Sequence, residues 1–311
     1  MTINAIKSLL VLVVFSSLLF VGCKEEVIPD PVVDPLPFDD ISELFETQAP
    51  AAQSFSITTN TTQTITGAEG TKITFYANSF VDGQGNIVTG QVDFELKEIY
   101  AKGDMLWSDR MTVASNSELL ESGGEFSLKA TSAGQEVFLN RDFFMEVPIS
   151  SATSDPFAME LFTSTESDST WTPADSTFVG IDSLTNSYQF NYDSLTWINC
   201  DYFSSATNTT RGFSVAPALS SGVNLTDVRA YVVFDNINSI ASLYYNSATN
   251  AFECSYNLPI GEPVTVVIVG MDISQLYLGT LSTSITAVTS PLQVTMNPVT
   301  QAQLQTAIDN L

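Results

Sequence analysis

The chain has 311 residues, 10 Lys or Arg against 35 Asp or Glu, no histidine, and a formal net charge of −25. That charge repels nucleic acid and anionic membrane surfaces, so neither is expected as a partner. The missing histidine excludes Ser-His-Asp and Cys-His catalysis and His-based zinc or iron sites. No catalytic group, metal or cofactor is expected, and the chain reads as a non-enzyme.

At the N-terminus, Lys7 supplies a positive n-region and Ser8 to Phe20 an apolar run of signal-peptide length. The run is shorter than the roughly 20 apolar residues that cross a bilayer. Gly22-Cys23 looks like a bacterial lipobox, although Phe20 stands where Leu is commoner. It implies cleavage after residue 22 and a diacylglycerol on the thiol of Cys23. Several acyl chains on one residue anchor stably, whereas a single chain at about 0.8 kcal/mol per buried CH2 is marginal. Lys24, Glu25 and Glu26 follow directly. A lysine and two acids after the lipidated cysteine resemble the export signal of Bacteroidota surface lipoproteins. The expected address is the outer membrane, facing the cell exterior, with membrane lipid as the partner of acylated Cys23. Cleavage removes one lysine and no acid, so the mature chain is one unit more negative.

Residues 23–49 form the expected tether. Pro29, Pro31, Pro35 and Pro37 alternate with Asp and Val, a semi-extended composition. Within it, Asp39 to Phe45 predicts a short helix with acids at its N-terminal end. From Phe55 onward, short alternating runs predict strands, among them 72–76, 91–97, 126–130 and 143–147. The first two have one buried and one wet face. The segments 231–234 and 264–269 are continuously apolar, as in sandwich-core strands. Thr300 to Leu311 predicts a helix with Leu304, Ile308 and Leu311 on one face. The fold class is therefore all-β, with tandem β-sandwich domains at 50–150 and 212–298. A Ser/Asp-rich β region at 151–211 lies between them, and a C-terminal helix at 299–311 follows. Cys200 and Cys254 either pair as a disulfide or stay as two buried thiols; the absence of C-x-x-C argues against a redox role.

Several stretches carry a family resemblance. Gly70-Thr-Lys-Ile-Thr-Phe-Tyr-Ala-Asn-Ser-Phe80 leads through a turn into Val88-Thr-Gly-Gln-Val92. Phe94 to Tyr100, Gly103-Asp-Met105, Leu119-Leu-Glu-Ser-Gly-Gly-Glu-Phe126 and Ala130 to Gln135 follow, then Trp197-Ile-Asn-Cys-Asp201. This order resembles a β-domain of uncharacterised Bacteroidota lipoproteins, itself similar to the module shared by zonula occludens proteins and netrin receptors. The resemblance spans about 50–205 and implies a β-sandwich without an agreed activity. Some animal relatives cleave themselves at His-Phe-Ser; this chain has no such triplet, so that chemistry is not carried over. Residues 212–298 look like an immunoglobulin-like or carboxypeptidase-regulatory-like sandwich.

The candidate chemistry is modest. Asp82, Asn86 and Asp104 are oxygen donors of the kind calcium takes, but a hairpin turn explains Asp82 to Asn86 better. Glu95, Glu98, Glu121 and Glu125 are the nearest approach to an acid/base pair, and are expected to be a solvated face. Trp107, Trp171 and Trp197 are read as either a sugar-stacking platform or core packing, the commoner use of tryptophan; Trp197 is expected to be structural, and Trp107, in an expected loop, is the candidate glycan contact. Four Asp-Ser-(Thr or Leu) triplets resemble the O-glycosylation site of Bacteroidota exported proteins, at Ser169, Ser176, Ser183 and Ser194. The reading is a non-enzymatic surface lipoprotein with an adhesion, envelope-assembly or display role. The alternative is a glycan-binding accessory protein of a nutrient-uptake system. The expected partners are thus lipid, a surface glycan or an envelope protein.

Overall fold

The computed structural model describes residues 35–149, 155–168, 170–174, 178–204 and 206–311. Cys23, Lys24, Glu25, Glu26, Ser169 and Ser176 lie outside them. The fold is all-β, as expected, with three short α-helices among the described residues.

The first half runs through β1 (Gln53–Thr58), β2 (Gln63–Thr66), β3 (Lys72–Phe75), β4 (Phe80–Val81), β5 (Gln91–Ile99), β6 (Leu120–Ser132), β7 (Gln135–Glu136), β8 (Phe138–Leu139), β9 (Phe143–Pro148), β10 (Glu160–Ser164), β11 (Thr172–Pro173), β12 (Gly180–Asp182), β13 (Ser187–Tyr192) and β14 (Trp197–Phe203). One sheet has the order β1-β5-β6-β14-β10-β11, with β7 beside β6; the other has the order β12-β13-β9-β3-β2. The alternation in β5 explains their packing. Val92, Phe94 and Leu96 point inward, where they meet Phe126, Leu128, Ile198 and Cys200 of the same sheet and Phe75, Met145 and Phe190 of the other. The ring of Phe75 stands 4.9 Å from that of Phe94 across the gap. The described strands of 151–211, expected as a separate region, complete this sandwich up to Phe203: β10, β11 and β14 enter one sheet and β12 and β13 the other. The expected boundary at 150 therefore cuts through a shared core rather than between domains.

The second half contains β15 (Thr209–Thr210), β16 (Ser214–Ala218), β17 (Asp227–Phe234), β18 (Ile240–Asn246), β19 (Ala251–Glu253), β20 (Leu258–Pro259), β21 (Pro263–Met271), β22 (Leu276–Ser284), β23 (Leu292–Thr295) and β24 (Asn297–Val299). Eight of them form one sheet in the order β23-β16-β19-β18-β17-β21-β22-β24. Its two end strands, β23 and β24, follow each other in the chain. The first pairs in parallel with β16 and the second antiparallel with β22, so the sheet curls back until its ends meet on one segment. Gly279 permits the approach, because a Cβ there would lie 2.6 Å from Met296 Sδ.

Three helices, α1 (Ile41–Gln48), α2 (Lys102–Trp107) and α3 (Gln301–Asp309), share the core of this second module. The two expected helices are present. Asp40 caps α1 by accepting from the Glu43 N–H at 2.9 Å, and Thr300 and Gln303 form a capping box on α3. Ile41, Leu44 and Phe45 of α1 and Met105, Leu106 and Trp107 of α2 join the same apolar cluster as Val266, Ile268 and Leu304. The cluster also takes in Trp171 and Trp197 from the first sandwich, so residues 35–311 form one compact unit.

Polar contacts fix the junction. Asn238 is 6% exposed and donates from Nδ2 to the carbonyls of Tyr100 (3.0 Å) and Ser122 (2.9 Å). Its own carbonyl accepts from the Ser122 N–H at 2.9 Å. Thr112 accepts from the Ile240 N–H at 2.8 Å and shares a hydrogen bond with Ser239. Removing one partner of a buried hydrogen bond costs about 1–3 kcal/mol. Asn238→Ala, which strands two buried carbonyls, should lower unfolding stability by about 2 kcal/mol or more, read by urea denaturation. A loss below about 0.5 kcal/mol contradicts a junction held by this side chain.

Candidate functional site: a buried carboxylate cluster and the groove beside it

Strand β14 has two faces with different fates. Ile198, Cys200 and Tyr202 point into the sandwich, and Trp197, Asn199 and Asp201 point away from it. The outward face is nevertheless dry near the junction. Asn199 and Asp201 are 0% exposed, as are Ser122 and Glu125 on the neighbouring strand β6. The register places Glu125 opposite Asn199 and Ser122 opposite Asp201, with one extra β6 residue between them, a β-bulge. Gly124 makes the bulge possible: its φ is +144°, and a Cβ would lie 2.8 Å from the Tyr100 ring.

Asn199 sits at the centre of this cluster. Its Nδ2 donates to Asp201 Oδ2 at 2.6 Å, and its Oδ1 accepts from the Ser122 hydroxyl at 2.9 Å. Tyr202 donates to Glu121 at 2.5 Å. Among the described residues, Oε2 of Glu125 and Oδ1 of Asp201 have no hydrogen-bond partner. Complete burial pushes the Glu125 carboxyl up to about 8, against the pull of the Arg110 guanidinium. Burial, then the charges of Glu125 and Glu121, push Asp201 well above the usual carboxylate range. Groups this deep touch no substrate; they are held, not presented.

Further along the same face, the surface opens. Trp197 is 5% exposed and Ser127 7%, and then the Lys129 side chain reaches 56%. Arg110 lies over the Trp197 ring with its guanidinium carbon 4.0 Å from the centroid. It donates to the carbonyls of Thr165 and Asp168 and pairs with Glu166 at 3.6 Å. Lys129 pairs with Glu166 at 2.5 Å.

The opening leads into four cavities that share walls in sequence. One of 250 Å³ is lined by Tyr231, Tyr245, Phe252, Asp109 and Arg229. Asp109 and Arg229 also line the next, of 380 Å³, which reaches Glu46, Ala49 and Lys97. Those three in turn line a third of 380 Å³, between Glu95, Lys97, Lys129 and Trp197 below and residues 46–52 above. Ser127, Lys129, Glu166 and Trp197 lead on to a fourth of 320 Å³. Lys97 is half-buried, and desolvation pulls its ammonium below its ordinary value despite the nearby Glu166.

Sequence expectations fare unevenly here. Trp107 is not an exposed loop residue. It ends helix α2, is 2% exposed, stands edge-on to Phe45 at 5.2 Å, and donates its indole N–H to Asp309 at 2.9 Å. Its ring face is closed to a sugar. Cys200 and Cys254 form no disulfide: both thiols are free and buried, one in the first sandwich and the other in the second core. Burial pushes Cys200 well above its ordinary value and Cys254 up to about 11. Of the four glutamates expected on a solvated face, only Glu95 is exposed; Glu98, Glu121 and Glu125 are buried. Glu98 accepts from Gln53 and from the Glu69 and Thr71 N–H groups, holding the β2–β3 turn. Asp82 and Asn86 bond each other across a hairpin turn, while Asp104 sits in α2. Among the described residues, no group of three or more His, Cys, Asp or Glu is arranged to hold a metal. Ser183 and Ser194 are exposed, on the β12–β13 turn and before β14.

The groove residues Lys97, Lys129, Arg110 and Glu166 were not singled out from sequence. The alternation in 91–97 did put Glu95 and Lys97 on the wet face; nothing local said that α1 and its trailing segment would roof it. No protein-family model matches the chain, and no curated protein matches it.

Two measurements follow. Glu125 and Asp201 hold their protons more tightly folded than unfolded, so stability is full below about pH 4 and declines as pH climbs toward 8. The midpoint of thermal unfolding should fall over that window, and Glu125→Gln should flatten the fall; a rise with pH contradicts the burial of these carboxyls. For the thiols, alkylation without reductant should label both Cys200 and Cys254 in denaturant and neither in the native protein, as read by mass spectrometry. A mass two units lighter with no label marks a disulfide.

Proposed function

We propose that the chain is a lipid-anchored, non-enzymatic lipoprotein of the outer membrane, displayed at the cell exterior for adhesion, envelope assembly or display. The observation that carries the anchoring is the apolar run ending at Gly22-Cys23 and followed by Lys24-Glu25-Glu26. The Pro-rich stretch after it suits a tether, and the order of motifs over 50–205 supports membership among Bacteroidota surface lipoproteins. Among the described residues no helix is long and apolar enough to cross a membrane. The non-enzymatic part rests on the missing histidine and on the depth of the raised carboxyls, which no substrate reaches.

A second reading, glycan capture for a nutrient-uptake system, is favoured by one observation: the sequence of cavities with charged side chains in their walls along the outer face of the first sheet. Trp107 lines one of these cavities with only 2% of its surface exposed, so the contact expected of its ring passes to the charged side chains around it.

Labelled palmitate should enter the wild-type protein and be lost in Cys23→Ala, with the precursor retaining residues 1–22. Label that persists in Cys23→Ala contradicts the anchor.

A further inference from the structure

We infer that the four cavities act as one groove for an acidic oligosaccharide, a chain of hydroxyl-rich rings with carboxylates at intervals. The inference deepens the glycan reading and rests on it.

Charge comes first. The described residues hold eight lysines and arginines in a strongly acidic chain. Three of them, Arg229, Lys97 and Lys129, line the groove, and a fourth, Arg110, lies directly behind its Trp197 wall. Three of the described cations thus line one strip of surface, and a fourth is buried beside it.

Their pairing matters more than their number. Arg110 and Lys129 are both committed to Glu166, and Arg229 pairs with Asp109 at 3.3 Å. Among the described residues the Lys97 ammonium has neither an ion pair nor a hydrogen bond, although it is half-buried and sits where the two 380 Å³ cavities meet. A partly desolvated ammonium without a partner is costly, and an anionic group from a ligand relieves it. Glu46 and Glu95 line the same space, and among the described residues their carboxylates make no hydrogen bond. Carboxylates accept from hydroxyls, which a sugar supplies in number.

This mixed lining selects among ligands. A polyphosphate, with a charge on every unit, meets Glu46, Glu95 and Glu166 and is repelled. A neutral glycan leaves Lys97 unpaired. An extended peptide finds no strand edge, because the floor is the face of a sheet whose backbone groups are already paired. An acidic glycan satisfies both signs. Each of the two central cavities falls within the roughly 300–1,000 Å³ of small-ligand sites. At one end Tyr245, 53% exposed, offers an aromatic face.

The test is an array of neutral, uronic-acid and sialylated oligosaccharides, with each acid also printed as its methyl ester, probed with the detergent-solubilised, lipidated protein. Binding should be confined to acidic glycans, drop at least tenfold on esterification, and weaken with salt. Lys97→Met should lose at least tenfold with an unchanged thermal midpoint, and Lys97→Gln serves if the first variant does not fold. Tyr245→Ala should weaken binding of the longer oligosaccharides. Equal binding of acids and esters overturns the inference and leaves glycan capture standing. A blank array overturns both. Acidic binding that survives Lys97→Met and Lys97→Gln in folded protein overturns the groove as its site.

Discussion

Strands β6 and β14 are buried on both faces, and most of the molecule follows from that constraint. One face is ordinary sandwich core, with Phe126, Leu128, Ile198 and Cys200 against the second sheet. The other face carries polar residues and is covered by the second module. Burying such groups is costly unless each finds a partner. The bulge at Gly123-Gly124, the clasp of Asn238 on Ser122 and the central place of Asn199 are the means by which this strand pair is kept satisfied. Where satisfaction fails, at one oxygen of Glu125 and one of Asp201, the carboxyls hold on to protons instead.

The same face changes character along its length. Asp201 and Ser122 are fully dry, Trp197 and Ser127 nearly so, and the Lys129 side chain is mostly wet. The gradient marks how far the second module and its helices extend over the first sheet. Where the cover ends, polar side chains selected for an outward face are left facing a roofed space rather than open solvent, and the groove results. Fold and candidate site thus have one cause: a sheet half covered by its neighbour. The proposed anchor and the groove are separate features, and the proposed role, holding a ligand at the surface, draws on both.

The sequence made the elements legible and hid their partners. Period-two alternation located β5 and β9 to within two residues, the acids at its N-terminal end located α1, and the shared face of Leu304, Ile308 and Leu311 located α3. Helix α2 was missed because six residues are too few to display a helical period. The misreadings share one origin. Trp107 looked exposed and Glu121 and Glu125 looked solvated because the groups they meet come from far along the chain, Asp309, Tyr202 and Asn199 among them. Likewise Cys200 and Cys254 were two thiols without a topology; once β14 and β19 are placed, they fall in different cores. Local pattern reports which side of a strand is apolar, not what covers its polar side.

Native-state hydrogen exchange addresses this account most directly. If β6 and β14 are enclosed on both faces, the amides of Glu125, Phe126, Ile198 and Asn199 exchange only through global unfolding, and their protection equals the full unfolding free energy. The amides of the edge strands β1 and β12 exchange earlier, through local opening. Exchange of the β6 and β14 amides at edge-strand rates, or their protection lost without loss of the rest, contradicts a doubly buried strand pair at the centre of the molecule.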